Sequence, residues 1–533
     1  MPSITLTGLT ATTPDGRALF SNLDLSFDGG RTGLVGRNGV GKSTLLGIIA
    51  GMLAPQAGTV STTGTLGVLR QNVQVSADET LADLIGVTGA LDVLRRAEEG
   101  RATADELASA DWTIETRIAS ALRRVELDAE PSTLLSALSG GQRTRAALCA
   151  LVLAEPDFIL LDEPTNNLDR AGRASVIELL STWRASAIVV SHDRALLETM
   201  DAIVEMTSLG VARYGGNWSH YRERKALELA AARHDLDDAE RRVAEVTRSA
   251  QATAESKARK DGAGQRKRAK GDMPRILAGA RQNRAEGTSG DNARVAERRR
   301  TQALDDAAAA RQRIEVLQPL SMTLPSTGLP AGKLVLRLDA VSAGYGMARP
   351  IIDGLSFTLT GPERVAITGP NGSGKTTLLA LVTGKLAARS GNVRMTTDFA
   401  MLDQQVSLLD PSLSIRDNFL GLNPGADENA CRSALARFIF RADAALQIVS
   451  TLSGGQMLRA GLACVLGGIR PPPLLILDEP TNHLDIASIE AIEAGLRAYD
   501  GALLVVSHDE AFLEAIGITR RLELSPSPEP RPR

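Results

Sequence analysis

The feature that most constrains the fold of this chain is an internal repeat of four short motifs. The matching pairs are 36–44 and 369–377, 138–142 and 452–456, 161–166 and 477–482, and 191–193 and 507–509. The offset between copies is 333 residues at the first pair and 316 residues at the last. The repeat therefore predicts one domain present twice, and a length of 533 residues leaves room for further segments at about 150 residues per domain.

Composition narrows the class of protein. Apolar residues make up 43% of the chain and no apolar run reaches 18 residues, so we expect no membrane span. The first residues carry neither a basic region nor an apolar stretch, so we expect no secretory signal. Three scattered cysteines, Cys149, Cys431 and Cys464, are typical of buried thiols in a reducing compartment. We therefore expect a cytoplasmic protein.

The glycine-rich loops 36–44 and 369–377 each follow a short β-type run and precede a helical pattern. This is the setting of a phosphate-binding loop, in which backbone N–H groups and a helix N-terminus surround the phosphates. Lys42 and Lys375 are predicted to reach the β- and γ-phosphates. Ser43 and Thr376 are predicted to hold Mg²⁺ through their hydroxyl groups.

The apolar runs 158–161 and 474–477 are typical of buried parallel strands, and each ends in Asp-Glu. Carboxylates at this edge of a sheet face the nucleotide crevice, so Asp162 and Asp478 are predicted to act on the Mg²⁺ shell. Glu163 and Glu479 are predicted to act as general bases on the attacking water. The histidines after the next apolar strands are interpreted as γ-phosphate contacts. They are His192 and His508.

The Leu-Ser-Gly-Gly-Gln pentapeptides at 138–142 and 452–456, together with these motifs, closely resemble those of ATP-binding cassette ATPases. The resemblance covers nearly the whole chain. It implies an α/β fold class with two P-loop ATP-binding cassette domains, which pair head to tail within a monomer and enclose two ATP and Mg²⁺ at their interface. ATP binding closes such a pair, and hydrolysis lets it open.

The resemblance also assigns residues to each site. The first site would combine Gly36, Asn38, Gly39, Gly41, Lys42, Ser43, Thr44, Gln71, Asp162, Glu163 and His192 with Ser453, Gly454, Gly455 and Gln456. The second would combine Gly369, Asn371, Gly372, Gly374, Lys375, Thr376, Thr377, Gln404, Asp478, Glu479 and His508 with Ser139, Gly140, Gly141 and Gln142. Gln71 and Gln404 would join the metal shell, and Asp169 and Asp485 match the family's interface aspartates. Tyr345 matches the aromatic residue that stacks on adenine, whereas the first copy has no aromatic residue at 11–14.

A segment of different composition separates the copies. We predict a first cassette at 1–217, an interdomain linker at 218–319, a second cassette at 320–524 and a disordered tail at 525–533. In the linker, apolar residues recur every three or four positions on both sides of a glycine-containing stretch, which predicts an antiparallel α-helical hairpin with one helix at 225–253. The first copy has 19 more residues than the second between Gln71 and Ser139, and we expect a short arm within 88–112.

The net charge of −3 hides a segregation of charge. Residues 255–300 contain fourteen Lys or Arg and six Asp or Glu, whereas the linker on either side is near neutral. The predicted hairpin tip, at about 255–292, would present its cations to phosphates, and it lacks aromatic residues for base stacking. We predict RNA contacts at Lys257, Arg259, Lys260, Arg266, Lys267, Arg268, Lys270 and Arg275.

Two cassettes joined by a long charged helical linker resemble the ABC-F subfamily. The resemblance implies a ribosome-bound translation factor acting in translation control, in rescue of stalled ribosomes or in antibiotic resistance. An alternative is the ATP-binding subunit of a transporter, which would act with a separate membrane protein. A third class, the structural-maintenance ATPases, separates the phosphate loop from the pentapeptide by a coiled coil. Here both motifs lie within each copy, which argues against that class.

Overall fold

The structure is a computed structural model of the chain. It describes residues 2–13, 16–69, 76, 78–166, 168–207, 210–269, 297–306, 308–309, 324–346, 349–440, 442–482 and 484–525. The chain divides into two compact units: residues 1–219 with 319–533 form one, and residues 220–318 form the other. The two predicted cassettes thus belong to one unit.

The first copy is an α/β domain. Its strands are β1 (Ser3–Thr12), β2 (Ala18–Phe27), β3 (Arg31–Gly36), β4 (Ala57–Thr63), β5 (Leu66–Leu69), β6 (Phe158–Asp162), β7 (Ser186–Val190), β8 (Ala202–Thr207) and β9 (Gly210–Gly215). Its helices are α1 (Lys42–Ile49), α2 (Leu81–Leu84), α3 (Thr88–Glu98), α4 (Ala104–Ser109), α5 (Ile114–Arg124), α6 (Gly140–Ala154), α7 (Arg170–Ser181) and α8 (Arg194–Leu197). The range predicted for the arm contains α3 and α4.

A six-stranded sheet places the motifs of the first copy at one edge. Its order is β5-β6-β7-β3-β8-β9, with every pair parallel except β8 and β9. The glycine loop, Asp162 and His192 follow β3, β6 and β7, so they leave the sheet at the carboxyl ends of neighbouring strands. A three-stranded antiparallel sheet, β2-β1-β4, packs its apolar residues with those of the larger sheet and α1 in one core.

The described residues of the segment between the copies form two helices, α9 (Trp218–Ala269) and α10 (297–306). The helix predicted for 225–253 is longer at both ends, with 52 residues in α9. It continues through Gly262 and Gly264, because a helix tolerates a glycine at a cost of only about 1 kcal/mol each. Leu229, Ala232 and Ala239 of the predicted apolar stripe are buried. Residues 270–296 and 310–323 lie outside the described residues, as does most of the predicted tail.

The second copy repeats the plan of the first. Its strands are β10 (Leu334–Ala343), β11 (Ile352–Thr360), β12 (Arg364–Thr368), β13 (Ser390–Met395), β14 (Phe399–Leu402), β15 (Leu474–Asp478), β16 (Ala502–Val506) and β17 (Arg520–Glu523). Its helices are α11 (Lys375–Val382), α12 (Ile415–Leu422), α13 (Glu428–Arg437), α14 (Gly454–Leu466), α15 (Ile486–Ala498) and α16 (Glu510–Ala515).

The parallel sheet of the second copy has the order β14-β15-β16-β12-β17, which matches the first five strands of the larger sheet in the first copy. The antiparallel sheet β11-β10-β13 likewise matches β2-β1-β4. The continuous apolar runs predicted as buried strands are buried: Leu474, Leu475, Ile476 and Leu477 are each 0% exposed. The predicted α/β fold with two equivalent cassettes and an intervening helical region is confirmed.

Candidate active sites between the two copies

The two glycine loops have the backbone of a phosphate cradle. Gly39 and Gly41 have φ of 79° and 103°, and Gly372 and Gly374 have φ of 82° and 95°, so each loop needs residues without a Cβ at these positions. A Cβ on Gly36 would also collide with the backbone oxygen of Met206. Each loop leads directly into α1 or α11, whose first turn carries no acidic residue and therefore leaves the positive helix end available to an anion.

The two loop lysines are buried and turned into their own loops. Lys42 Nζ donates to Gly36 O at 2.7 Å, and Lys375 Nζ donates to Gly369 O at 2.8 Å. Burial lowers the pKa of both lysines, and neighbouring carboxylates oppose this effect. A phosphate is a stronger acceptor than these carbonyl groups, so the lysines are held where a phosphate in the loop would meet them.

A carboxylate pair lies at the carboxyl end of β6 and of β15, each the second strand of its parallel sheet. Glu163 and Glu479 have φ of 50° and 48°, a backbone region that residues other than glycine adopt at a cost. Their backbone N–H groups donate to Val190 O and Val506 O, both at 2.9 Å, which holds the strained turn. Burial raises the pKa of both glutamates, that of Glu479 to about 7, so each carboxyl group exchanges its proton near neutral pH.

The two predicted histidines lie against these glutamates. His192 Nε2 is 3.3 Å from Glu163 Oε1, and His508 Nε2 is 3.4 Å from Glu479 Oε1. The angles are not those of a hydrogen bond, since both Nε2 atoms are without a hydrogen-bond partner among the described residues. Burial lowers the pKa of both imidazoles, that of His508 to about 4, so they are neutral at physiological pH and the contacts are not ion pairs.

The predicted metal ligands supply oxygen atoms, which Mg²⁺ prefers. Burial raises the pKa of Asp162 and the nearby Ser43 hydroxyl opposes this rise, while Asp162 Oδ1 is buried and without a hydrogen-bond partner among the described residues. In the second copy, Thr376, Gln404 and Asp478 line one cavity. An unpartnered carboxylate oxygen beside a hydroxyl group fits a hard cation. Gln71, the remaining predicted ligand, lies outside the described residues.

The aspartates after the two Asp-Glu motifs reach across to the opposite copy. Asp485 Oδ2 accepts from Asn38 N at 2.7 Å, and Asp169 Oδ2 accepts from Asn371 N at 3.2 Å. The other carboxylate oxygen of each aspartate caps its own helix, accepting from Ser488 N at 2.8 Å and from Gly172 N at 3.0 Å. An aspartate of the opposite copy therefore binds the backbone of each phosphate loop.

Two cavities accompany these contacts. One, of about 300 Å³, lies between the copies and is lined by Glu163 and His192 of the first together with Lys375, Glu479 and His508 of the second. The other, of about 330 Å³, follows the first phosphate loop from Asn38 to Thr44 and extends to Thr13, Arg17 and Leu19. The predicted catalytic residues of both sites thus share one chamber, which the sequence did not predict.

The predicted pentapeptide residues line neither cavity. Ser139 and Gln142 form a capping box at the start of α6, with Ser139 N donating to Gln142 Oε1 at 2.9 Å, and Ser453 and Gln456 do the same in α14. Both serines are exposed. In this conformation the pentapeptides cap their own helices, and the structure does not bring them to the opposite phosphate loop.

The predicted adenine contact also stands apart from the cavities. Tyr345 is 56% exposed, and Arg389 Nη2 donates to the carbonyl oxygens of Tyr345 at 3.2 Å and Gly346 at 2.7 Å. At the first site, Arg17 lies over the phosphate loop and donates to Gly39 O at 3.4 Å. The sequence did not indicate Arg17, because the residue expected to contact adenine was an aromatic one, and residues 11–14 contain none.

The structure also shows buried ion pairs that sequence reasoning missed. Arg173 donates to Asp193, and Arg194 of the first copy donates to Glu493 of the second. The only signal in the sequence is a mismatch between the copies, since Ile489 and Glu510 stand where the first copy has Arg173 and Arg194.

Most of the predicted RNA-binding residues lie within α9: Lys257, Arg259, Lys260, Arg266, Lys267 and Arg268. Arg259 is exposed. Lys270 and Arg275 lie outside the described residues. Among the residues that the structure describes, no helix combines the length and the apolar character that crossing a bilayer requires.

Comparison with known proteins agrees with this arrangement. The sequence model of a family described as ABC transporter matches residues 20–166 and 352–482. The tylosin resistance ATP-binding protein TlrC of Streptomyces fradiae is 32% identical, over 93% of this chain and 92% of its own. The energy-dependent translational throttle protein EttA of Mycobacterium tuberculosis is 30% identical, over 93% and 87%.

A solved structure described as RNase-L Inhibitor is similar in fold, with a TM-score of 0.58 at 17% identity over 98% of this chain and 90% of its own. The matched segments contain the phosphate loops, the pentapeptides and the Asp-Glu pairs of both copies. The chain therefore belongs to the ATP-binding cassette ATPases and, among them, to the ABC-F group of paired cassettes.

Proposed function

We propose that this protein is an ABC-F ATPase that binds and hydrolyses two ATP between its cassettes and acts on the ribosome. The observation that carries the ATPase assignment is the shared chamber. It brings a buried glutamate with a raised pKa, a neutral histidine and a phosphate-loop lysine together at the joint between the cassettes.

Each site has the parts that phosphoryl transfer to water requires. The loop N–H groups and Lys42 or Lys375 bind the phosphates, and Glu163 or Glu479 accepts a proton from the attacking water. His192 and His508 donate a hydrogen bond to the γ-phosphate. Ser43 with Asp162, and Thr376 with Asp478 and Gln404, would hold Mg²⁺, which neutralises charge on the phosphates when it is bound.

The proposed closed state adds residues from the opposite cassette. Ser453 to Gln456 would complete the first site, and Ser139 to Gln142 would complete the second. The hydrogen bonds from Asn38 to Asp485 and from Asn371 to Asp169 support this pairing, because they already join each phosphate loop to the opposite cassette. The pentapeptides would then bind phosphate oxygens with the N-terminal ends of α6 and α14.

The ribosome assignment rests on the linker and on the relatives. Residues 255–300 carry fourteen cations against six carboxylates, which is the electrostatic footprint of an RNA-binding surface. Relatives covering over nine-tenths of this chain are named for translational throttling and for tylosin resistance. We propose ribosomal RNA as the partner of this basic segment, recognised through its phosphates and shape.

The experiment is co-sedimentation of the Glu163→Gln, Glu479→Gln double variant with ribosomes in the presence of ATP. Without the general bases ATP is bound but not hydrolysed, so the closed state accumulates. We expect ATP-dependent co-sedimentation. A matched control, Lys42→Ala with Lys375→Ala, removes the phosphate contacts and should not co-sediment. Failure of the double Gln variant to sediment at moderate salt would contradict the ribosome assignment.

A second pair of variants tests the basic segment. Replacing Lys257, Arg259, Lys260 and Arg266 with Ala should weaken ribosome binding and lower its salt dependence, by about one unit of slope per lost phosphate contact. The matched control replaces Arg233, Arg241, Arg242 and Arg248 in the near-neutral part of the same helix. Equal effects of the two sets would show that the location of the charge is irrelevant.

The alternative function is that of a transporter subunit, and it rests on the description of the matching family. It predicts recovery of the protein with a membrane partner in cell fractions. It also predicts that the four substitutions in the basic segment leave that association unchanged.

A further inference from the structure

Residues 191–194, which carry His192, are fixed by a buried ion pair to the adjacent helix α7. Arg173 donates to Asp193 Oδ2 from Nε at 3.0 Å and from Nη2 at 2.7 Å. The two side chains are 18% and 5% exposed. The other oxygen of Asp193 accepts from Ala195 N at 3.0 Å, so this carboxylate joins α7 to the start of α8.

A second buried ion pair fixes the same segment to the opposite cassette. Arg194 Nη1 donates to Glu493 Oε1 at 2.7 Å, with side chains 14% and 4% exposed. Glu493 lies on α15, the helix that begins next to Asp485, and Asp485 bonds the first phosphate loop at Asn38 N. Helix α15 therefore contacts the first site at two points.

The second site has a weaker version of this joint. Helix α7 contacts the second phosphate loop through Asp169 at 3.2 Å, and Ile177 stands where α15 has Glu493. Ile489 stands where α7 has Arg173, and no cation pairs with Asp509 at salt-bridge distance within the part of the chain that the structure describes. Glu510 pairs with Arg521 and Arg170, but all three side chains are more than a third exposed. Exposed pairs of this kind contribute little.

Arg173 also lies near the second site, because it lines the shared chamber with Glu479, His508 and Asp509. Burial alone would lower its pKa, but the carboxylates of Asp193, Asp509 and Glu479 outweigh that effect and raise it. Arg173 thus lies near the equivalent aspartates of the two cassettes, Asp193 and Asp509. It hydrogen-bonds to Asp193, which belongs to its own cassette.

We propose that Arg173 and the Arg194–Glu493 pair make the two ATP sites inequivalent, so that the first site reopens slowly and retains its nucleotide while the second releases nucleotide quickly. Opening the first site breaks the buried hydrogen bond between Arg194 and Glu493, whereas the cross-cassette ion pair that the described residues place at the second site, Arg170 with Glu510, is already exposed. Arg173, Arg194 and Glu493 are positioning residues in this scheme. The inference rests on the proposed ATPase activity and does not require a ribosome.

The test measures retained nucleotide on the full chain without ribosomes. The protein is incubated with radiolabelled ATP and Mg²⁺, passed rapidly through gel filtration, and the loss of label is followed over time. We expect slowly released label that disappears in Lys42→Ala and persists in Lys375→Ala. Equal dependence on the two lysines would overturn the inference. Failure of the wild-type chain to bind ATP would overturn the ATPase function itself, so the two failures are distinguishable.

Three variants then assign the asymmetry to the ion pairs. Arg194→Met with Glu493→Leu removes the pair without leaving a buried charge, and Arg173→Ile copies the second cassette. Each should release the slow label about tenfold faster. The converse, Ile489→Arg, offers Asp509 a cation and should slow release from the second site. Thermal unfolding identifies variants that fail to fold. Wild-type release kinetics in the folded Met/Leu variant would contradict the proposal.

Discussion

The two proposed ATP sites of this protein have the same candidate catalytic groups and different surroundings. Glu163 and Glu479 share a left-handed backbone, a nearby neutral histidine and a lysine turned into its glycine loop. The side chains that join the cassettes around them differ, since a buried cross-cassette ion pair, Arg194 with Glu493, lies at the first site and an exposed one, Arg170 with Glu510, lies at the second. The two copies therefore share their candidate catalytic groups, whereas the side chains that join them differ.

Replacing the two proposed catalytic glutamates, first together and then one at a time, tests this comparison with the largest expected effect. Replacing both with Gln should lower ATP turnover by about 10²–10⁴-fold, because the general base is lost. Glu479→Gln alone should lose more turnover than Glu163→Gln, because the second site is proposed to turn over faster. Phosphate release measures this, with the exposed Glu98→Gln as the control. A larger loss in Glu163→Gln would reverse the proposed assignment.

Truncating one arginine in each joint compares the buried and exposed pairs directly. Arg194→Ala leaves Glu493 buried without its cross-cassette partner, which costs about 3–5 kcal/mol for a buried pair. Arg170→Ala breaks the exposed pair with Glu510 of the opposite cassette and should cost about 1 kcal/mol or less. Urea denaturation of both variants provides the measurement. Similar losses would show that the two joints are energetically equivalent.

The pH dependence of stability tests the buried glutamate of the second site. The folded protein raises the pKa of Glu479 to about 7, so it favours the protonated form, and stability falls as pH rises from the unfolded value through about 7. Glu479→Gln mimics the protonated form. In the nucleotide-free protein with chelator, the variant should be more stable than wild type by up to ~3 kcal/mol at pH 8. At pH 5 the gain should fall to about 1 kcal/mol, and a constant gain would contradict the burial of a titrating carboxyl group.

The smallest expected effect concerns the side chains that are proposed to contact adenine at the two sites. Tyr345→Ala should weaken ATP binding at the second site by about 0.5–1.5 kcal/mol, the range for an aromatic stacking contact. Arg17→Ala should weaken the first site by a similar amount, about 0.5–1 kcal/mol, through loss of a cation–π contact with the base. Titration of the Lys42→Ala and Lys375→Ala backgrounds with fluorescent ATP separates the sites. If Tyr345→Ala still weakened ATP binding in the Lys375→Ala background, the ring would act at the first site and not at the second.

The sequence predicts the parts of each site that are local in the chain. The glycine loops, the Asp-Glu pairs and the histidines follow neighbouring parallel strands, so their convergence at one sheet edge follows from strand order. The cross-cassette contacts of Arg194 and Glu493 are separated by 299 residues and depend on how two finished domains meet. The spacing of residues along the sequence does not predict such a contact. The sequence indicates its position only through the mismatch between the copies, since Glu510 stands where the first copy has Arg194.

Two other differences have separate physical reasons. The length of α9 exceeded the prediction because Gly262 and Gly264 weaken a helix without ending it. The pentapeptides were assigned to the opposite ATP sites by family resemblance, and in this structure their serine and glutamine side chains bond to one another at the start of α6 and α14. Those same side chains would have to exchange a capping contact for a phosphate contact when the cassettes close.

We propose that ATP closes the pair of cassettes and that the closed pair places the basic linker against ribosomal RNA. The most direct measurement is a cryo-EM structure of the Glu163→Gln, Glu479→Gln variant with ATP and ribosomes. It should show two ATP molecules, each between a phosphate loop and the opposite pentapeptide, and residues 255–300 against RNA phosphates. A ribosome complex with this segment away from RNA, or with nucleotide outside the cassette interface, would contradict the account.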